Sequence, residues 1–301
     1  MIIHLLRLYV NISENMYHKS ERICSDISDN IKSLKMPNLL QRRFFFDIII
    51  SELVLEEYRI MKIKEKINLD VKGLIEHGPI TIVTLGDSVT HGCFCGDIDY
   101  DASYPNLLRK KILAVRDYVP VNVINAGIGG TTAYTAVARM EKQVLAHLPD
   151  LVTVCFGLND VNGPLERYIE SLEKIFSECI SRDIDIIFMT PNMLNTRVSE
   201  KTPANLVNYA TKTAQMQNEG RMDTYMESAV ALARKMGVTV CDCYAKWKEL
   251  SEKQDITALL ANSINHPTRK MHELFADMLF ECIFNDSTSV STKSESGMYE
   301  E

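Results

Sequence analysis

Four short segments of the chain carry groups that together could perform acyl transfer. Gly86-Asp87-Ser88-Val89-Thr90 sets a serine next to a glycine-containing turn, a setting that can display a hydroxyl. Asn125-Ala126-Gly127-Ile128-Gly129-Gly130-Thr131-Thr132 is rich in glycine, so its backbone N–H groups can come close to an anion. Gly157-Leu158-Asn159-Asp160 adds a side-chain amide donor, and Asn262-Ser263-Ile264-Asn265-His266-Pro267 delivers an imidazole late in the chain. A hydroxyl, an imidazole and two independent donors are what a nucleophile, a general base and an oxyanion hole require. Each segment alone reads as an ordinary turn; the order in which they occur makes the set specific.

Segments so far apart need a scaffold that brings them together. From about residue 78, short β-rich runs alternate with longer helical patterns, which predicts a parallel sheet with crossover helices. The expected strands are Ile80 to Leu85, Val121 to Ala126, Leu151 to Phe156, Ile184 to Thr190 and Val238 to Cys241. Their apolar runs are continuous, as strands buried on both faces should be. Helices are expected over 103–116, 132–146, 165–182, 203–236 and 269–285. The fold class is therefore α/β: a three-layer, flavodoxin-like α/β/α sandwich on a five-stranded parallel sheet. In such sheets functional loops lie beyond the carboxyl ends of the strands, where three of the four segments fall.

The rest of the chain reads differently. Residues 1–75 predict a helical extension through which a homo-oligomer could form, residues 76–285 the α/β domain, and residues 286–301, rich in serine and charge, a disordered tail. The opening MIIHLLRLYV lacks the basic start and small-residue cleavage site of an export signal. The apolar run Phe44 to Leu55 is broken by Asp47 and Glu52 and is shorter than the roughly 20 residues of a membrane span. A formal net charge of -7 over 301 residues argues against nucleic acid as a partner. Eight cysteines, several within apolar runs, fit a reducing cytoplasm. The Cys93/Cys95 and Cys241/Cys243 pairs lack zinc spacing, so neither a metal nor another cofactor is implied.

GDS at the first strand, the asparagine-glycine block at the second, G-x-N-D at the third and a late histidine resemble the four sequence blocks of the GDSL/SGNH hydrolases, over about residues 80–285. The resemblance implies a serine esterase with Ser88 as nucleophile and His266 as base. It implies an oxyanion hole made by Ser88, Gly130 and Asn159, and small acyl esters as substrates, foremost carbohydrate acetyl esters, with thioesters and lysophospholipids as the alternatives. One departure stands out: Ser263 occupies the place of the aspartate expected three residues before the histidine. Asn262, Ser263, a main-chain carbonyl near Asn265 and, more remotely, Asp255 are the candidates for orienting the imidazole in its stead. The loss also keeps open an SGNH-fold binding or interaction protein with weakened chemistry. His91 is expected to be a loop residue and His272 to lie on an exposed or half-buried face of the last helix. Trp247 and Tyr244 suggest a packed helix face. Cys93 to Ser103, with Asp97, Asp99 and Asp101, is either a substrate-lining loop or a solvated acidic one.

Overall fold

The structure, a computed structural model, describes residues 63–116 and 119–284. Most of the expected helical extension, with any oligomer contact it makes, and the expected tail lie outside the described residues. Five strands form the sheet: β1 (Ile80–Gly86), β2 (Val121–Gly127), β3 (Leu151–Cys155), β4 (Asp185–Met189) and β5 (Thr239–Cys241). Their order is β2-β1-β3-β4-β5, every pair parallel. The helices are α1 (Ile63–Lys66), α2 (Val71–His77), α3 (Ser88–His91), α4 (Tyr104–Leu113), α5 (Ala133–Val137), α6 (Met140–Gln143), α7 (Leu165–Ile180), α8 (Val207–Asn218), α9 (Arg221–Lys235), α10 (Cys243–Ser251) and α11 (Arg269–Phe284).

Helices flank the sheet: α11 packs on α4, and α7 on α5 and α9. In α7, Tyr168, Leu172, Ile175, Phe176 and Cys179 repeat at helical spacing and are all buried, so one face of the helix meets the core. Val83, Leu85, Val152, Val154 and Phe188 in the sheet are fully buried. Each large apolar side chain removed from water stabilises the fold by about 1.5–3 kcal/mol.

Three expectations are corrected. The edge strands are not buried throughout, since Asn122 in β2 and Thr239 in β5 are exposed. The helix expected over 132–146 breaks into α5, α6 and a 3-10 turn at Leu145–His147. The long helical region divides into α8 and α9 at Gly220, whose φ of 75° is a left-handed conformation that interrupts helix and favours glycine.

Register positions the chemistry. Gly86, the last residue of β1, lies opposite Gly127 of β2 on one side and Cys155 of β3 on the other. The three segments that follow these strands therefore start at one level. The direction in which strands are added to the sheet also reverses here, β2 and β3 lying on opposite sides of β1, and that is where open α/β sheets form their binding crevice.

The opposite end of the sheet is tied by a buried ion pair. Lys66 Nζ donates to Asp150 Oδ1 and Oδ2 at 2.8 and 3.0 Å, and Asp150 Oδ2 also accepts the Thr81 N–H at 2.7 Å. Ile63 and Ile67 join the same core, so the segment before β1 belongs to the sheet's packing. Lys66→Met should leave the buried Asp150 carboxylate uncompensated and lower the unfolding free energy in urea by about 3–5 kcal/mol. The segments at the carboxyl ends of the strands should keep their arrangement well below the unfolding transition, as a near-ultraviolet circular dichroism spectrum would show, because the pair lies at the amino ends of β1 and β3.

Candidate active site

Ser88 opens α3, a single helical turn directly after β1. The Asp87 Oδ1 accepts the Val89 N–H at 3.0 Å and starts the turn; Gly92, at φ 93°, ends it. The passage from strand to helix is tight enough that a Cβ on Gly86 would fall 1.9 Å from Thr90 Oγ1 and 2.8 Å from the Cys155 carbonyl oxygen. Any side chain at position 86 would force the serine out of place.

His266 reaches Ser88 from a fixed loop. Asn262 Oδ1 accepts the N–H groups of Ile264, Asn265 and His266 at 2.9–3.0 Å, and the His266 carbonyl accepts from Ala261. The imidazole Nε2 lies 3.0 Å from Ser88 Oγ, and Nδ1 lies 2.7 Å from the backbone carbonyl of Phe94. A carbonyl can only accept, so Nδ1 carries the proton and Nε2 is left as acceptor for the serine hydroxyl. Burial pulls the His266 pKa below the ordinary histidine value, and the bond to Phe94 partly opposes this.

The structure thus corrects the expected orienters. Asn262 holds the backbone rather than the ring. Ser263 sits at φ 57°, a left-handed turn position, and makes no hydrogen bond to the imidazole. The Asn265 carbonyl accepts from Asn192 Nδ2, and Asp255 pairs with Arg197. The ring's partner is a peptide carbonyl from the loop after Ser88 and α3.

The glycine loop after β2 comes up to Ser88, and Asn159 follows β3. Gly129 approaches so closely that a Cβ there would lie 3.7 Å from the Ser88 Cβ. Gly130 follows at φ 76°. The Asn159 amide donates one hydrogen to the Thr131 carbonyl at 2.9 Å and retains a second, while Asp160 Oδ1 accepts the Ala133 N–H at 2.9 Å. Asn125 ties the loops by accepting from Gly127 N–H and donating to the Thr90 carbonyl.

Sequence reasoning missed Arg139. Its guanidinium donates to the carbonyls of Gly86 and Ala126 and to Thr131 Oγ1, so one half-buried cation holds the ends of β1 and β2 and the glycine loop together. An arginine within a helical run carries no sign of that reach. His91, expected in a loop, lies in α3, where Nδ1 accepts the Gly129 N–H at 3.3 Å and Nε2 meets the Tyr100 hydroxyl at 3.0 Å. His272 is fully buried rather than half-exposed. Its Nδ1 accepts the Tyr104 N–H, its ring lies 4.8 Å from that of Phe94, and burial holds its pKa down at about 3. Trp247 is packed in the core.

Residues 84–274 match the GDSL-like Lipase/Acylhydrolase family. The chain belongs to that family. Among curated relatives, an arylesterase of Vibrio mimicus is 30% identical over 110 residues, covering 36% of this chain and 52% of the relative. An acetylxylan esterase of Geobacillus stearothermophilus is 32% identical over 90 residues, covering 26% and 41%. The chain thus spans about half the length of the curated relatives it matches. The solved acetylxylan esterase from Geobacillus stearothermophilus superposes with a TM-score of 0.54 at 23% identity, over 70% of this chain and 97% of that one. Solved catalytic mutants of that enzyme replace a serine, an aspartate and a histidine. A lipase/acylhydrolase from Enterococcus faecalis shares the fold at a TM-score of 0.53 and 23% identity, over 67% and 94%. Among the described residues, no helix is long and apolar enough to cross a membrane.

Two carboxyls beneath the family's motifs are unusual. Asp87 and Asp160 are buried, each with one oxygen lacking a hydrogen-bond partner, and burial raises their pKa values to about 7 and about 6. In the unfolded chain Asp87 ionises near 3.8, whereas in the fold it holds its proton until about 7, so its contribution to stability falls as pH rises through that window. Asp87→Asn should remove this slope. The stability difference between variant and wild type, followed by urea unfolding, should shift in the variant's favour by up to roughly 4 kcal/mol between pH 4 and pH 7.5.

Proposed function

We propose that the protein hydrolyses short-chain acyl esters, with acetyl esters of carbohydrates as the substrate class, through an acyl-enzyme on Ser88. The observation that carries this reading is the 3.0 Å contact between Ser88 Oγ and His266 Nε2, with Nδ1 already committed to a carbonyl. Ser88 Oγ attacks the ester carbonyl while Nε2 takes its proton. The oxyanion that forms is met by the N–H groups of Ser88 and Gly130 and by the free hydrogen of the Asn159 amide. Nε2 then returns the proton to the departing alcohol oxygen. A water, deprotonated at the same nitrogen, attacks the acyl carbon; collapse of that second tetrahedral intermediate releases the acid and restores the serine.

Support for an acetyl group comes from the acetylxylan esterases that share sequence and fold with this chain. The cytoplasmic assignment is part of the same reading and rests on thiols: Cys155, Cys179, Cys241 and Cys243 are buried and unpaired. The missing side-chain carboxylate favours a second reading, a binding protein that keeps the fold with weakened chemistry. A fluorophosphonate probe separates the two, since only an activated serine becomes labelled.

An ester panel of increasing acyl length should give the highest kcat/KM for acetyl, with Ser88→Ala at background. Asn159→Ala should fold normally and lose about a hundredfold to a thousandfold in kcat. Because His266 must be neutral to act and its pKa is lowered, the acid limb of kcat/KM should fall below pH 6.5. Full activity in Ser88→Ala would overturn the assignment.

A further inference from the structure

The carbonyl that faces His266 belongs to a loop with its own anchoring. After α3 the chain makes a narrow hairpin in which Cys93 and Ile98 form an antiparallel bridge, Phe94 N–H donates to the Asp97 carbonyl and Asp99 N–H to that of Gly92. Two carboxylates stiffen it from within. Asp97 Oδ1 accepts the Cys95 N–H at 3.1 Å, and Asp99 Oδ1 accepts the Ala102 N–H at 3.0 Å. Both remaining oxygens turn to a single guanidinium: Arg269 Nη2 donates to Asp97 Oδ2 at 2.8 Å, and Nε donates to Asp99 Oδ2 at 3.0 Å.

The same guanidinium lies over the Phe94 ring, 4.4 Å from Cζ to the ring centroid. Phe94 is 1% exposed, with the His272 ring also packed against it, so its ring cannot move without its backbone. Arg269 opens α11, three residues after His266. The segment that delivers the imidazole therefore also carries the cation that fixes the loop whose carbonyl orients the imidazole. Arg269, Asp97 and Asp99 are each about a third to a half exposed, and ion pairs so exposed add little to global stability. Their geometry has a local effect: a planar fork bridging two carboxylates that each also hold the loop backbone defines where the Phe94 carbonyl stands.

We infer that Arg269 is a positioning residue for the esterase reaction: by bridging Asp97 and Asp99 and covering Phe94, it keeps the Phe94 carbonyl at His266 Nδ1, where no side-chain carboxylate stands. This rests on the serine–histidine reading above. It also gives the acidic loop a role that neither a substrate wall nor a solvated turn describes.

The test uses Arg269→Ala and the double variant D97N/D99N, which cuts the same clamp from its exposed side and stands in should the arginine variant fail to fold. Both should lower kcat at least about tenfold on an acetyl ester while KM stays within about twofold, as expected when a group acting in the transition state loses its alignment. A proton NMR spectrum supplies a readout that a structural role would not move. The His266 Nδ1 proton, held in a 2.7 Å bond, should give a downfield signal in the wild type that is lost in both variants while their melting temperatures change by only a few degrees. Retention of that signal, together with kcat within about twofold of wild type, would overturn the inference. The signal is also read in Ser88→Ala and in Ser88→Ala/Arg269→Ala, where no turnover is needed. Its loss only when Arg269 is replaced supports the clamp whatever the nucleophile proves to be; its survival there sinks the clamp alone.

Discussion

Register between three parallel strands is the constraint on which the site rests. With Gly86 level with both Gly127 and Cys155, the serine, the glycine loop and the asparagine leave the sheet at one height. A slip of one residue in either ladder would displace the segment that follows by about 3.3 Å, more than a hydrogen bond tolerates, and would exchange the side chains that the strand presents to the two helical layers. Packing of Val83, Leu85, Val152 and Val154 therefore fixes the chemistry as firmly as it fixes the fold. Arg139 adds a second restraint by fastening the carbonyls at the ends of β1 and β2 to the glycine loop.

The imidazole is held by a weaker partner than a carboxylate. A carbonyl dipole selects the tautomer and fixes the ring plane, as Phe94 does here, but it offers only partial charge to an imidazolium. The buried setting compounds this by disfavouring the charged ring. In exchange, the orienter does not titrate. Nothing at Nδ1 changes protonation as pH falls, so His266 itself sets the acid behaviour of the pair.

Much of this was legible in the sequence, and the exceptions share a cause. The continuous apolar runs marked all five strands, and the segments holding Ser88, the glycines and Asn159 do follow strand ends, because a buried sheet imposes local patterns on its own residues. His266 could be picked from its block, and the structure sets it against Ser88 from 178 positions away. What could not be read was any partner defined by backbone geometry or by the reach of a long side chain. The Phe94 carbonyl has no signature, since every residue has one. Arg139 and Arg269 look like ordinary surface cations of helices, and His272 looked half-exposed because its burial depends on the loop carrying Phe94. Helix breaks at residues 138–139 and at Gly220 were also invisible to a periodicity that continues across them.

Drawing the orienting atom from the main chain changes what substitution can do to it. A carboxylate can be deleted by one codon change, and its absence marks an enzyme as damaged in any comparison of side chains. The oxygen of Phe94 survives every replacement at its own position, so an alanine there reaches it only indirectly, through the loss of the ring that anchors it. Its vulnerability is geometric instead of chemical: remodelling of residues 92–103 acts on the imidazole without altering the side chain of Ser88 or His266.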